Sequence, residues 1–226
     1  MIPVRIAVAD RELGLSEVSL PLDLATLVPG RRRWMVEIGV GKGAYLLRSA
    51  AAERDETAWL GIEIVSKYYR LVARRARRRG LDNVVLMRGE ALYLASAVLP
   101  RAFASSLHVY HPDPWPKARH NKRRLFDRES VDLLLGLLEP GGEVCFATDH
   151  AVYGEVVRDV LTSHPGLEVG RVEEGWPDGP RTHYEARFDA AGAPILRLRA
   201  RLRAPDVMHP DGWRGVVAAT RRRQEA

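Results

Sequence analysis

At 226 residues and 46% apolar, the chain has the material for one full-sized domain with a buried core. No apolar run approaches the roughly 18 to 20 residues of a membrane span, and the opening MIPVRIAVADRELG lacks the apolar segment of a signal peptide, so a soluble, cytoplasmic protein without a membrane partner is expected. The net charge of +6 favours a polyanionic partner, but 31 Arg against 4 Lys is the skew a GC-rich genome produces on any surface, so local clustering must decide.

In chain order, the first dozen residues carry no sustained pattern and are expected to be mobile within an N-terminal extension, residues 1–30. Strand-length apolar runs then recur at 33–40 (RWMVEIGV), 57–64 (TAWLGIEI), 83–90 (NVVLMRGE), 106–113 (SLHVYHPD) and 142–149 (GEVCFATD), followed by LEVGRVEE and PILRLRARL. The count is seven strands. Between the first five lie helix-length stretches, among them AYLLRSAAAER, SKYYRLVARRARRR and NKRRLFDRESVDLLLGLL, each ending near Gly or Pro. Strands alternating with helices predict an α/β, Rossmann-like fold, with a mostly parallel sheet covered on both faces. The last two strands, preceded and separated by polar stretches, are expected as an antiparallel edge pair. The whole, 1–226, reads as a single domain with a mobile tail at 217–226. Cys145, the single cysteine, sits in an apolar run, which makes it a buried thiol and excludes an intrachain disulfide.

The chemistry begins at Glu37 to Gly43, EIGVGKG, which follows the first strand and opens the first helix. Gly39, Gly41 and Gly43 occupy the turn where a missing side chain lets a ligand approach the backbone. Their G-x-G-x-G spacing departs from the G-x-G-x-x-G pattern that delivers a pyrophosphate to a helix N-terminus. Glu63 ends the second strand, where a carboxylate can accept from both hydroxyls of a ribose. Glu37 could take an ammonium, and Glu90-Ala91, at the end of the third strand, could meet an adenine amino group and leave room for its ring. Each carboxylate alone reads as a solvated strand end. Three at consecutive strand ends, on the side where open α/β sheets bind ligands, specify a site for a cationic adenosine cofactor, S-adenosylmethionine.

After the fourth strand comes His111-Pro112-Asp113-Pro114-Trp115-Pro116-Lys117, then Ala118-Arg119-His120-Asn121-Lys122-Arg123-Arg124. Alternating prolines forbid helix and predict a stiff, extended arm that holds Asp113 beside the cofactor pocket. Lys117, Arg119, Lys122, Arg123 and Arg124 place five positive charges within eight residues, for which phosphates are the natural complement. A second basic cluster, Lys67 to Arg79, reads as a solvated helix face. His108 and His111 lie three apart on a strand and point to opposite faces, so no metal is assigned.

EIGVGKG, GIE (61–63), HPDPWPKARHNKRRL, ATDH and THYEAR together resemble the bacterial tRNA (guanine-N7)-methyltransferase family, in the right order over roughly residues 34 to 200. The Pro-Asp-Pro-Trp-Pro-Lys stretch with its basic extension is the specific part. The glycine loop is common to most methyltransferases. The resemblance implies the class I methyltransferase fold, S-adenosylmethionine as donor, and a guanine in the tRNA variable loop as acceptor. It also implies that Glu37, Glu63, Glu90 and Asp113 contact the cofactor, with Asp113 catalytic, and that Lys117, Asp149 and the run Thr182, His183, Tyr184, Glu185 contact the substrate. Three positions depart from the family pattern: His111 stands for an aromatic, Glu90 for Asp or Asn, and Ala118-Arg119 for two basic residues.

Guanine N7 carries an in-plane lone pair and no proton, so its attack on a sulfonium methyl needs alignment and no general base. Positive charge then moves onto the purine, where a fixed carboxylate, Asp113, is favoured by the migration. Recognition of the guanine edge is an alternative role for Asp113, as for Asp149 and Glu185. N7 is out of reach in an A-form groove, so the base must be unpaired or turned out, with Thr182 and Tyr184 alternating with His183 and Glu185 to clamp it. Three rivals remain. A methyltransferase acting on an exocyclic amine would continue Pro-Pro-aromatic after its acid, a nicotinamide oxidoreductase would need a pyrophosphate loop, and an idle RNA-binding module would leave the carboxylates unexplained. The sequence carries no signal that separates monomer from homodimer.

Overall fold

The computed structural model describes residues 3–115, 124–128, 130–172 and 175–203. The strands are β1 (Arg5–Val8), β2 (Arg11–Gly14), β3 (Arg33–Ile38), β4 (Thr57–Glu63), β5 (Val84–Arg88), β6 (Ala104–Tyr110), β7 (Leu138–Thr148), β8 (Leu167–Arg171) and β9 (Leu196–Leu202). The helices are α1 (Leu24–Leu27), α2 (Ala44–Ala52), α3 (Ser66–Arg78), α4 (Ala91–Ala97), α5 (Val131–Leu135), α6 (Ala151–Thr162) and α7 (His183–Ala190). One sheet takes all nine strands in the order β2-β1-β5-β4-β3-β6-β7-β9-β8.

The five central strands, β5 to β7 in that order, run parallel, and the chain reverses its direction of travel across the sheet at β3. Ligands of open α/β sheets bind outside the carboxyl ends at such a reversal. β9 inserts antiparallel between β7 and β8, giving the expected edge pair. The seven strands anticipated are all present. Two more are added by residues 5–14, which are not a loose extension: β1 pairs antiparallel with β5, and Ile6 is fully buried. Four-residue strands are too short for alternation to register in sequence, and it is the open edge of β5 that recruits them.

Alternate side chains of the strands feed two cores. Val36, Leu60, Leu107 and Phe146 pack with α1, α4, α5 and α6 on one face. Met35, Trp59 and Cys145 pack with α2 and α3 on the other. The long helix expected from NKRRLFDRESVDLLLGLL is, among the described residues, only the five residues of α5. Asp127 and Ser130 explain its start: the Asp127 N–H donates to Ser130 Oγ and the Ser130 N–H to Asp127 Oδ1, a local turn that competes with helix.

Gly61, inside β4, has no room for a side chain, since an added Cβ would sit 2.6 Å from Leu86, 2.8 Å from Leu46 and 2.9 Å from Val40. Gly61→Ala is therefore expected to destabilise the fold by about 1 to 3 kcal/mol through overpacking. Urea unfolding measures it, and an unchanged midpoint would mean that the α2 to β4 contact has slack.

Candidate active site

The loop from β3 to α2 turns through three left-handed glycines, with φ of 78° at Gly39, 51° at Gly41 and 73° at Gly43. The Gly39 N–H donates to the Ile62 carbonyl, and the Gly43 N–H to that of Val40. A Cβ added to Gly39 would meet nothing, and one on Gly41 only the Gly39 carbonyl at 3.9 Å, so this backbone is bare toward solvent. Gly43 differs from the expectation of a shared ligand role. Its Cβ would strike Val72 at 2.8 Å, which makes it the point of approach between α2 and α3.

Glu63, at the carboxyl end of β4, is buried and holds this loop with both oxygens, Oε2 accepting from the Gly41 N–H at 2.9 Å and Oε1 from the Val65 N–H at 2.8 Å. Glu37, on the neighbouring strand, is only 3% exposed, and its Oε2 is buried without a partner. Burial pushes its carboxyl up to about 8, the Leu46 N–H pulls it back, the Glu63 charge raises it and the Arg181 charge lowers it. A buried carboxyl with one orphaned oxygen is a standing demand for a donor or cation. Glu90 caps α4, accepting from the Leu92 N–H at 3.1 Å and the Tyr93 N–H at 2.8 Å. Its greater length relative to Asp is absorbed by reaching two amides. Ala91 is buried in the core on the α4 side.

The acceptor side is built on the end of β6. His111 is left-handed, with φ of 49°, as is Trp115, with φ of 43°. The arm therefore turns at His111 and again at Trp115 instead of running straight, with Pro112 and Pro114 stiffening what lies between, and Pro116 lies outside the described residues. The His111 N–H donates to the Ala147 carbonyl, and the Arg124 Nε–H donates to the Pro114 carbonyl at 3.0 Å while its guanidinium lies 5.2 Å over Tyr153. Arg124, expected to face phosphate with its basic neighbours, is thus engaged in holding the arm. Asp113 is exposed and has no hydrogen-bond or ion-pair partner among the described residues. Lys117, and with it Arg119, Lys122 and Arg123, lies outside the described residues.

His111 is the hub that joins three separated motifs. Its Nδ1 lies 2.9 Å from Asp149 Oδ1 at the end of β7, and its ring packs 5.9 Å from Phe188 and 6.4 Å from Tyr184 on α7. The run Thr182 to Glu185 is not the extended clamp that its alternation suggested. Thr182 caps α7, its Oγ1 accepting from the Glu185 N–H, which is the helix-start meaning of Thr-x-x-Glu. Glu185 is fully buried, accepting from the Arg181 N–H at 2.8 Å and pairing with Arg197 Nε at 2.6 Å, so both of its carboxylate oxygens are engaged within the protein. His183 and Tyr184 face outward, Tyr184 63% exposed.

Arg181 is the participant no motif announced. It is buried, donates to the Tyr110 hydroxyl and to Asp178 Oδ1, and lies 4.2 Å over Trp176 and 4.9 Å over Tyr45. It fastens the segment leading into α7 to β6 and α2. Behind it, His108 bridges the Ser106 and Tyr110 hydroxyls at 2.6 and 2.7 Å, and burial holds it well below its usual range, hence neutral. A cavity of about 510 Å³ opens behind this network, lined by Arg33, Ser105, Glu139 and Arg201 at the amino ends of the strands, away from the glycine loop.

Residues 31–198 match a family model described as "Putative methyltransferase". The chain is 36% identical over 181 residues to a tRNA (guanine-N(7)-)-methyltransferase of Nitrosococcus oceani, covering 79% of this chain and 75% of that protein. It is also 36% identical to the protein of the same description from Streptomyces avermitilis, covering 76% of this chain and 59% of that longer protein. The chain belongs to the tRNA (guanine-N7)-methyltransferase family. Two solved structures share its fold: the 16S rRNA methyltransferase KamB, with TM-score 0.62, 15% identity and coverage of 88% of this chain and 99% of that one, and the 16S rRNA (adenine(1408)-N(1))-methyltransferase from Catenulisporales acidiphilia, with TM-score 0.59, 18% identity and coverage of 87% and 98%. The chain has the class I methyltransferase fold, extended by one N-terminal hairpin, and the methyl donor of this enzyme class is S-adenosylmethionine. The residues present fit that donor, since the orphaned Glu37 oxygen would suit its cationic end and the bare glycine backbone leaves room for a close approach. Among the described residues no helix is long and apolar enough to cross a membrane, and no group of three His, Cys, Asp or Glu side chains could hold a metal ion.

Because folded Glu37 keeps its proton up to about pH 8 while the unfolded carboxyl loses it near 4.5, the folded state binds the extra proton between these values. Stability of the cofactor-free protein is thus expected to fall as pH rises from 5 to 8, by about 1.4 kcal/mol per unit at the steepest. Urea unfolding across that range checks it against Glu37→Gln, which should lose the slope. Equal slopes in the two proteins would assign the titration to another group.

Proposed function

We propose that this enzyme transfers the methyl group of S-adenosylmethionine to N7 of a guanine in tRNA, in the cytoplasm. The observation that carries the reading is the pairing, across the β3 to β6 reversal, of a buried carboxyl with an unpartnered oxygen, Glu37, and an exposed carboxylate on a braced arm, Asp113, that has no partner among the described residues. The relatives named for tRNA guanine-N7 methylation, similar over most of the chain, supply the substrate class.

When bound, the cofactor supplies an electrophilic methyl on a sulfonium. Glu37 binds the ammonium of its methionine end, and the backbone at Gly39 and Gly41 lies against it. Glu63 keeps the loop shaped while its remaining lone pairs accept from the ribose hydroxyls, and Glu90 faces the adenine amino group from its helix cap. On the acceptor side, Asp113 lies beside the purine as positive charge arrives there, and Asp149 offers the oxygen that His111 leaves free. His183 and Tyr184 meet the extruded base from α7, while Thr182 and Glu185 position them. Lys117 takes a flanking phosphate. No proton need be removed from N7, so every one of these residues serves binding, orientation or charge stabilisation.

Incubation with radiolabelled S-adenosylmethionine and unmodified tRNA, followed by mapping of the labelled base, tests the activity. Label at guanine N7 is expected, and label on an exocyclic amine would overturn the reading. Asp113→Ala is expected to lower turnover by about two to three orders of magnitude, as loss of one transition-state charge contact does, with cofactor affinity changed only modestly. Near-normal turnover would remove Asp113 from the chemistry.

A further inference from the structure

We infer that the exposed face of α3 is a second docking surface for the RNA, gripping its phosphate backbone away from the target base. The inference rests on the proposed tRNA substrate and extends it to a part of the molecule that the glycine loop and the proline arm do not reach.

Residues 66–79 carry seven cations and no carboxylate, although the chain holds 29 acidic residues. An arginine-rich composition explains Arg in place of Lys. It does not explain the missing acids. Lys67, Arg70, Arg74, Arg77 and Arg78 are exposed and, by helical periodicity, share the face opposite the buried Tyr69, Val72 and Ala76. Among the described residues none of the five has a carboxylate partner, and Arg70 donates only to Ser66 Oγ on its own helix.

Local electrostatics opposes this arrangement. Arg70 and Arg74, and Arg74 and Arg78, are like charges four residues apart, while Lys67 and Arg70, and Arg74 and Arg77, are like charges three apart. Cations in the last turn suit the helix dipole, but the first turn has no acid and no side-chain cap, and Lys67 there works against the dipole. A helix placed so for stability alone would carry acids at its start and interleaved along its face. A polyanion removes each of these penalties at once.

Position selects RNA as that polyanion. α3 begins three residues after Glu63, at the same edge of the sheet as Asp113, and β4 and β6 flank β3, which sets their ends roughly 10 Å apart. Arg75 donates to the Lys42 carbonyl at 2.8 Å and so ties the helix to the cofactor loop. From its first turn the basic face runs about 20 Å along the helix. RNA whose target base lies at Asp113 therefore reaches the first turn of α3 with its adjoining backbone.

The test is the quadruple variant Arg70→Gln, Arg74→Gln, Arg77→Gln, Arg78→Gln in the full chain. Its melting temperature is expected to rise by a few degrees as like charges are removed, which separates the result from misfolding. The dependence of log Kd for tRNA on log salt should become shallower by about 3, and KM for tRNA should rise about tenfold or more, with turnover at saturating tRNA and cofactor affinity held within about twofold. A salt slope and KM equal to those of the parent protein would overturn the inference, as would loss of binding to vesicles of anionic phospholipid with tRNA binding unchanged. If the parent protein binds tRNA without methylating it, the proposed activity fails, and the slope comparison still decides the docking face.

Discussion

Two backbone N–H groups, from Gly41 and Val65, converge on the carboxylate of Glu63, and the geometry of the donor side follows from that convergence. It fixes a loop of three left-handed glycines, anchored in the core only by Val40, that would otherwise sample many conformations. It also joins the turn after β3 to the start of α3, so that the two helices on this face leave the sheet at set angles. With Glu63 so occupied, Glu37 is left as the carboxyl without a full complement of donors, buried where a cation can reach it. The loop is thereby shaped by the protein's own hydrogen bonds, with an unsatisfied Glu37 oxygen on the strand beside it.

The acceptor side is organised by a different device, three arginines each shared between two partners: an acid or carbonyl and an aromatic for Arg181 and Arg124, and two acids for Arg197. Arg181 between Asp178 and Trp176, Arg124 between Pro114 and Tyr153, and Arg197 between Glu185 and Asp189 fasten segments that come from distant parts of the chain. Buried pairs of this kind contribute little net stability but strongly oppose alternative arrangements, because a lone buried partner would be left uncompensated. The result is a firm frame that leaves Asp113, His183 and Tyr184 facing outward. Arginine serves here because its planar fork can stack and donate in several directions together.

Charge on this protein is divided by function. The arginines of the frame are held by acids, carbonyls or rings, whereas among the described residues the exposed Arg70, Arg74, Arg77 and Arg78 of α3 meet no carboxylate, so the composition that made total charge uninformative conceals two populations. Pairing within the structure is what distinguishes them.

The alternation of apolar runs with helical stretches was enough to determine seven strands, a mostly parallel sheet and the antiparallel edge pair, because burial on both faces of a sheet writes continuous apolar segments into the chain, whereas the order of the strands was not written there. The glycine turn and the carboxylates at the strand ends were equally legible, since each depends on residue type at short range, but the arm expected to run straight turns at His111 and Trp115. What the tertiary structure alone decided are the roles that depend on neighbours far away in sequence. Gly43 turned out to answer to Val72, Glu185 to Arg197, and Arg124 to Pro114, and the hairpin of residues 5–14 answers to the free edge of β5. His111, a departure from the family pattern, became the joint between Asp149, Tyr184 and Phe188. A carboxylate or guanidinium reads the same in sequence whether it meets a ligand or a buried partner, and only the fold determines which of the two lies within hydrogen-bonding reach.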